Sequence, residues 1–204
     1  MMTKLILASA SPRRREILDM AGFAFAVCPA RGEEVRVGAD PVEIVENLAK
    51  AKAREVAGSQ KEDCLVLGAD TIVVLDGEIM GKPADRADAS RMLHALQGRS
   101  HQVYTGVALD AVRQGVYTVH SFVQRTDVFV YPMTDAEIEA YMDTGEPFDK
   151  AGAYGIQGYG CLLVEGISGD YFNVVGLPVC RLGKILARFG VEPLRLAAEK
   201  ERRA

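Results

Sequence analysis

The chain has 204 residues, 49% of them hydrophobic and 25% charged, which suffices for one domain spanning residues 1–204 with a sizeable core, or a core plus a small second lobe. The net charge is −4 and the charges are dispersed, which argues against a long nucleic acid as the main partner; a small phosphorylated ligand needs only a few placed cations. Cys28, Cys64, Cys161 and Cys180 are widely separated with no zinc-type spacing, and three lie in apolar runs, so they read as small core residues in a reducing compartment.

Residues 5–8 form a short apolar run, read as a buried strand, and 12–21 read as a helix. The run is too short for an export signal and is followed, in the wrong order, by Arg13, Arg14 and Arg15; no segment has the length of a membrane span, so a cytoplasmic protein is expected. Asp40-Pro41 opens a second helix as N-cap and first helical residue, with Val42, Val45, Leu48 and Ala49 as its apolar stripe and Gly58 at its end. Residues 64–68 read as a strand covered on both faces, 72–75 as another, and Asp76-Gly77 as the turn into 78–80. A helix is predicted over 87–96, extended chain over 102–130 with a return near 113–115, and a helix over 134–143 with Thr134 and Glu137 as a capping box. A strand over 161–167, a helix over 178–188 and a frayed charged end over 199–204 complete the pattern. The whole reads as an α/β fold with a mixed sheet flanked by helices, in two lobes around a cleft.

Chemistry concentrates at a few points. Ser9-Ala10-Ser11-Pro12-Arg13-Arg14 lies where a buried strand passes into a helix start, which offers free backbone N–H groups and two guanidinium groups to an anion. Arginines are disfavoured by the dipole at that end, so a bound anion would relieve them; the alternative is a capped surface helix with solvated arginines. Lys52 falls in register with the buried stripe, so either its stem reaches the edge or its ammonium meets a buried anion. Asp70, in Gly68-Ala69-Asp70-Thr71, stands beyond the carboxyl end of a predicted strand, where a carboxylate can hold a divalent cation or take a proton from water. Lys82 in Gly81-Lys82-Pro83 is within reach of the same place, and the loop 149–158 has three glycines plus Gln157, whose carboxamide both donates and accepts. Tyr154 either stacks on a base or packs in the core, and His94, His101 and His120 are too scattered to form a catalytic set.

The segments LILASASPRRREIL (5–18), LAKAKA (48–53), LGADTIVVLDGEIMGKP (67–83), DKAGAYGIQG (149–158) and GDYFNVVGLP (169–178) occur in order, and together they resemble the Maf family of nucleoside triphosphate pyrophosphatases over nearly the whole chain. The resemblance implies hydrolysis of a nucleotide to its monophosphate and pyrophosphate with Mg²⁺ or Mn²⁺, a two-lobed α/β fold like that of inosine triphosphate pyrophosphatases, and often a homodimer. It implies that Asp70 is the catalytic base and, with Glu34 rather than Glu33, a metal ligand. Ser9, Arg13, Arg14, Lys52 and Lys82 would surround the phosphates. The AGAYGIQG segment resembles the branch acting on dTTP, UTP and modified uridine nucleotides, with Arg13, Thr71 and Gln157 marking pyrimidine specificity. The expected partner is thus a nucleoside triphosphate, with neither nucleic acid nor membrane. Two alternatives remain open: a 7-methyl-GTP pyrophosphatase, and a non-catalytic nucleotide-binding regulator of septum formation.

Overall fold

The computed structural model describes residues 4–202. One mixed sheet organises them, built from β1 (Lys4–Leu7), β2 (Phe25–Val27), β3 (Cys64–Leu75), β4 (Glu78–Met80), β5 (Ser100–Arg113), β6 (Val116–Val130) and β7 (Val164–Ser168), in the order β2-β1-β3-β5-β6-β7 with β4 beside β3. β1 runs parallel to β2 and β3, and all other pairings are antiparallel. The helices are α1 (Pro12–Met20), α2 (Pro41–Gly58), α3 (Arg86–Leu96), α4 (Asp135–Asp143), α5 (Tyr171–Val175), α6 (Val179–Leu186) and α7 (Pro193–Glu201). Among the described residues no helix is long and apolar enough to cross a membrane.

Local signals set most of these boundaries. Asp40 accepts from the Glu43 amide with Pro41 next in line, and Thr134 and Glu137 form the reciprocal capping box. The apolar stripe of α2 is buried at Val45, Leu48 and Ala49, whereas Val42 in its first turn is 42% exposed.

Alternation along β3 distributes the core. Cys64, Val66, Ile72 and Val74 face α2. On the opposite face Leu65, Leu67 and Ala69 pack with residues of β1, β5, α1 and α6, while Val73 and Leu75 pack with α3 and α4. The expected two lobes are therefore two apolar cores on one face of a shared sheet. Between them runs a polar seam: Thr71 and Thr105 are register partners, and the Thr71 hydroxyl meets that of Thr105 at 3.0 Å. Thr105 donates to the Asn173 carbonyl, and Asn173 donates to the Val103 carbonyl and to Thr126.

Four readings need correction. Residues 64–68 and 72–75 are one twelve-residue strand, so Asp70 lies within β3 rather than after it. Gly68 does not end a strand but allows close packing within one: a Cβ there would sit 2.3 Å from the Ala49 carbonyl oxygen of α2. The strand expected over 161–167 begins at Val164, because 158–162 coil into a 3-10 turn that leaves Leu162 76% exposed. Of the cysteines only Cys64 is buried; Cys28 is half-buried, and Cys161 and Cys180 are exposed. The charged end is helical through Glu201 in α7, while Arg203 and Ala204 lie outside the described residues.

His101 of β5 is fully buried, with its Nε2 2.6 Å from the Tyr154 hydroxyl. Burial lowers its pKa from 6.5 to about 4, so the folded protein holds a neutral ring where the unfolded chain would be protonated. The unfolded state then binds more protons below about pH 6.5. Stability from this site is complete above that pH and is lost as pH falls toward about 4, amounting to roughly 2 kcal/mol by pH 5. Melting at pH 7 and pH 5 should show a smaller drop for His101→Phe than for the wild type; equal drops would exclude His101 as the source.

Candidate active site

β1 pairs with β3 as far as Leu7↔Leu67, and β4 joins β3 only from Val73↔Met80 onward. Neither strand flanks β3 from Gly68 to Ile72. A cleft of about 660 Å³ opens over this stretch of edge. Ligands in α/β sheets gather beyond strand carboxyl ends, and the relevant end here is that of β1, not β3.

Every residue expected at the site lines this cleft: Ser9, Arg13, Arg14, Glu34, Lys52, Asp70, Thr71, Lys82 and Gln157. They arrive from several elements far apart in sequence. Ser9 to Arg14 follow β1 into α1, Lys52 projects from α2, and Asp70 and Thr71 come from β3. Lys82 follows β4, and the neighbouring Gly81 carbonyl accepts from the Gly152 amide of the glycine-rich loop. Glu34 and Arg36 lie on the 28–40 connection, which is tied down by Arg31 and Gly32 amides on Glu55 and by Asn47 on the Val37 carbonyl.

The floor is an ion triad. Lys52 Nζ hydrogen-bonds Asp70 and lies 2.8 Å from Glu34 Oε1. Of the two readings open for Lys52, the buried-anion one holds in part, the anions being carboxylates of the protein itself. Asp70 is 9% exposed, whereas Glu33 is exposed and lies outside the cleft lining. The hydrogen bond from Lys52 holds the Glu34 carboxyl below its usual range, against the opposing effect of partial burial. Within the triad two carboxylates face one ammonium, and Arg14 and Lys82 act on them from farther away.

The wall is arranged around Arg14. Its Nε donates to the Gly176 carbonyl at 2.9 Å, one terminal nitrogen to Ser9 Oγ at 3.0 Å, and the other to Thr71 Oγ1 at 3.2 Å. Thr105 spends its proton on Asn173, so Thr71 donates to Thr105 while accepting from Arg14. Arg14 is thus a buried, fixed cation rather than a solvated one. Arg13 differs: it reaches outward to Asp149 at 3.1 Å and keeps donors free for a ligand. Gln157 is exposed and its carboxamide has no hydrogen-bond partner among the described residues, whereas Tyr154 packs against His101.

Sequence reasoning did not single out Arg36, Asp149 or Lys150, all of which line the cleft. Asp149 and Lys150 open the 149–158 loop, a positional hint; Arg36, in an irregular exposed connection, carries no such signal. With them the lining holds six cations (Arg13, Arg14, Arg36, Lys52, Lys82, Lys150) against three carboxylates (Glu34, Asp70, Asp149), an excess of three positive charges in a chain of net charge −4. Such a cleft concentrates polyanions. Among the described residues no group of three or more His, Cys, Asp or Glu side chains is placed to hold a metal ion.

Residues 4–189 match the family described as Maf-like protein. A dTTP/UTP pyrophosphatase of Moorella thermoacetica is 55% identical, covering 94% of this chain and 97% of the relative. One from Symbiobacterium thermophilum is 53% identical over 93% and 95%, and one from Agathobacter rectalis is 46% identical over 94% and 100%. Among solved structures, a HAM1 protein from Coxiella burnetii covers 63% of this chain and 73% of its own, with a TM-score of 0.47 and 18% identity, a likeness too slight to carry residue roles.

Proposed function

The chain belongs to the Maf-like protein family, and from that membership and the charge of the cleft we propose that it is a single-domain nucleoside triphosphate pyrophosphatase that converts dTTP and UTP, and modified uridine nucleotides, to the monophosphate and pyrophosphate. The observation that carries this reading is the Lys52–Asp70–Glu34 triad on the floor of a cleft with excess positive charge. A cleft built only to bind a polyanion has no use for carboxylates at its base; a hydrolytic one needs them.

The triphosphate lies along the start of α1, where Arg13 and Ser9 meet its oxygens and Arg14 stiffens the wall behind them. Lys82 and Lys52 offset charge that develops on the departing pyrophosphate. Asp70 orients the attacking water and takes its proton as the oxygen approaches the α-phosphorus. Glu34 and Asp70 fit a divalent cation such as Mg²⁺ or Mn²⁺: two carboxylates converge on one cationic point, and such ions take their remaining ligands from phosphates and water. When bound, the cation polarises the phosphate and lowers the pKa of a coordinated water.

Two measurements test this. A panel of dTTP, UTP, CTP, ATP and GTP with Mg²⁺ should yield monophosphate and pyrophosphate fastest from dTTP and UTP; diphosphate plus orthophosphate, or a purine preference, would contradict it. Arg13→Ala should raise KM for every triphosphate by about tenfold or more, the worth of a charge-assisted hydrogen bond. An unchanged KM would remove Arg13 from phosphate binding.

A further inference from the structure

Gln157 stands free, yet the backbone that carries it is held at both ends by a single pair of side chains. Glu146 Oε2 accepts from the Tyr159 amide at 2.8 Å, and Oε1 accepts from the Gly160 amide at 3.0 Å and from the Tyr141 hydroxyl at 3.0 Å. The Tyr141 oxygen in turn accepts from the Gly155 amide at 3.1 Å. Two glycines make room for this clamp. A Cβ on Gly158 would lie 2.4 Å from Glu146 Oε2, and one on Gly160 would lie 2.0 Å from the Gly155 carbonyl oxygen and 2.8 Å from the Tyr141 hydroxyl. Burial pushes the Tyr141 phenol well above its ordinary pKa, so it remains a donor to Glu146.

A carboxamide by itself discriminates poorly, because rotation by half a turn exchanges its donor and acceptor. What it reads depends on where its backbone is fixed. A pyrimidine presents its edge closer to the sugar than a purine does, so the depth of the loop decides which edge is met. We propose that Glu146, together with Tyr141, is a positioning residue for base recognition: it fixes the 155–160 segment at both ends and so sets the Gln157 carboxamide at the reach of a pyrimidine edge. This rests on the reading of Gln157 as a base contact and deepens it.

The test measures kcat/KM for UTP and GTP in the wild type, Glu146→Ala, Tyr141→Phe, Gln157→Ala and the Glu146→Ala/Gln157→Ala double variant, with melting curves to establish folding. Gln157→Ala should lower the UTP-to-GTP ratio by roughly 5- to 10-fold, the value of one neutral hydrogen bond. Glu146→Ala should lower it comparably, through KM for UTP with kcat little changed, and should add nothing in the Gln157→Ala background. Tyr141→Phe, which keeps the buried ring, should lower the ratio even where Glu146→Ala fails to fold. A ratio unmoved in folded Glu146→Ala, or in Tyr141→Phe, overturns the positioning role, as do equal losses on both nucleotides or a further loss in the double variant. If Gln157→Ala itself leaves the ratio unchanged, the base-contact reading fails and the inference falls with it.

Discussion

The Asp70→Asn protein should fold normally and bind UTP while turning it over ~10²–10⁴-fold more slowly, the usual contribution of a general base. The substitution is nearly isosteric, and an asparagine oxygen still accepts from Lys52 at a position that is 9% exposed. What is lost is the capacity to take a proton and half of the negative charge facing Lys52. Kinetics at saturating UTP, with melting curves, separate the chemical loss from unfolding. Near-full turnover would remove Asp70 from the base's role. Glu34, 60% exposed at its side chain, should matter less to the chemical step than the nearly buried Asp70.

Gly68→Ala should damage fold and catalysis together. The new Cβ would sit 2.3 Å from the Ala49 carbonyl oxygen and 2.7 Å from the Ala53 amide nitrogen, so the backbone of α2 must move away from β3. Overpacking of this kind costs about 1–3 kcal/mol or more, which lowers Tm by roughly 3–10 °C in a chain of this size. Lys52 lies on the displaced turn, so its alignment with Asp70 and Glu34 goes with it and turnover should fall in the protein that remains folded. Gly58, the last residue of α2, is the control, because a Cβ there meets nothing within 4 Å; Gly58→Ala should change stability little or raise it slightly. If Gly68→Ala and Gly58→Ala melt alike, the close approach of α2 to the sheet is not what positions Lys52.

The contrast between these glycines explains which parts of the fold were legible in the sequence. Capping is local chemistry, and Asp40, Thr134 and Glu137 marked their helices without reference to anything distant. Gly68 is governed by its contact with Ala49 and Ala53 of α2, residues distant in sequence, so its neighbours in the chain do not announce its place inside a strand. Ending the strand at Gly68 split β3 and placed Asp70 at a strand end, although the true gap comes from β1 stopping at Leu7. Arg13, Arg14, Lys52 and Asp70 draw notice through unusual local features: arginines at a helix start, a lysine in a buried stripe, a carboxylate among small residues, whereas Glu34 and Thr71 are named only by the family resemblance. Their convergence was not legible, since it depends on the order of strands in the sheet. The same holds for the seam of Thr71, Thr105, Thr126 and Asn173, which exists only because the sheet register sets Thr71 opposite Thr105 and Thr126 opposite Val103, two residues along.

In the proposed reaction water attacks the innermost phosphorus of the bound triphosphate. Hydrolysis of UTP in water enriched in heavy oxygen, followed by mass spectrometry of both products, tests it directly. The label should appear in UMP and leave pyrophosphate unlabelled. Label in pyrophosphate, or in orthophosphate released with UDP, would place the attack on another phosphorus and contradict the account.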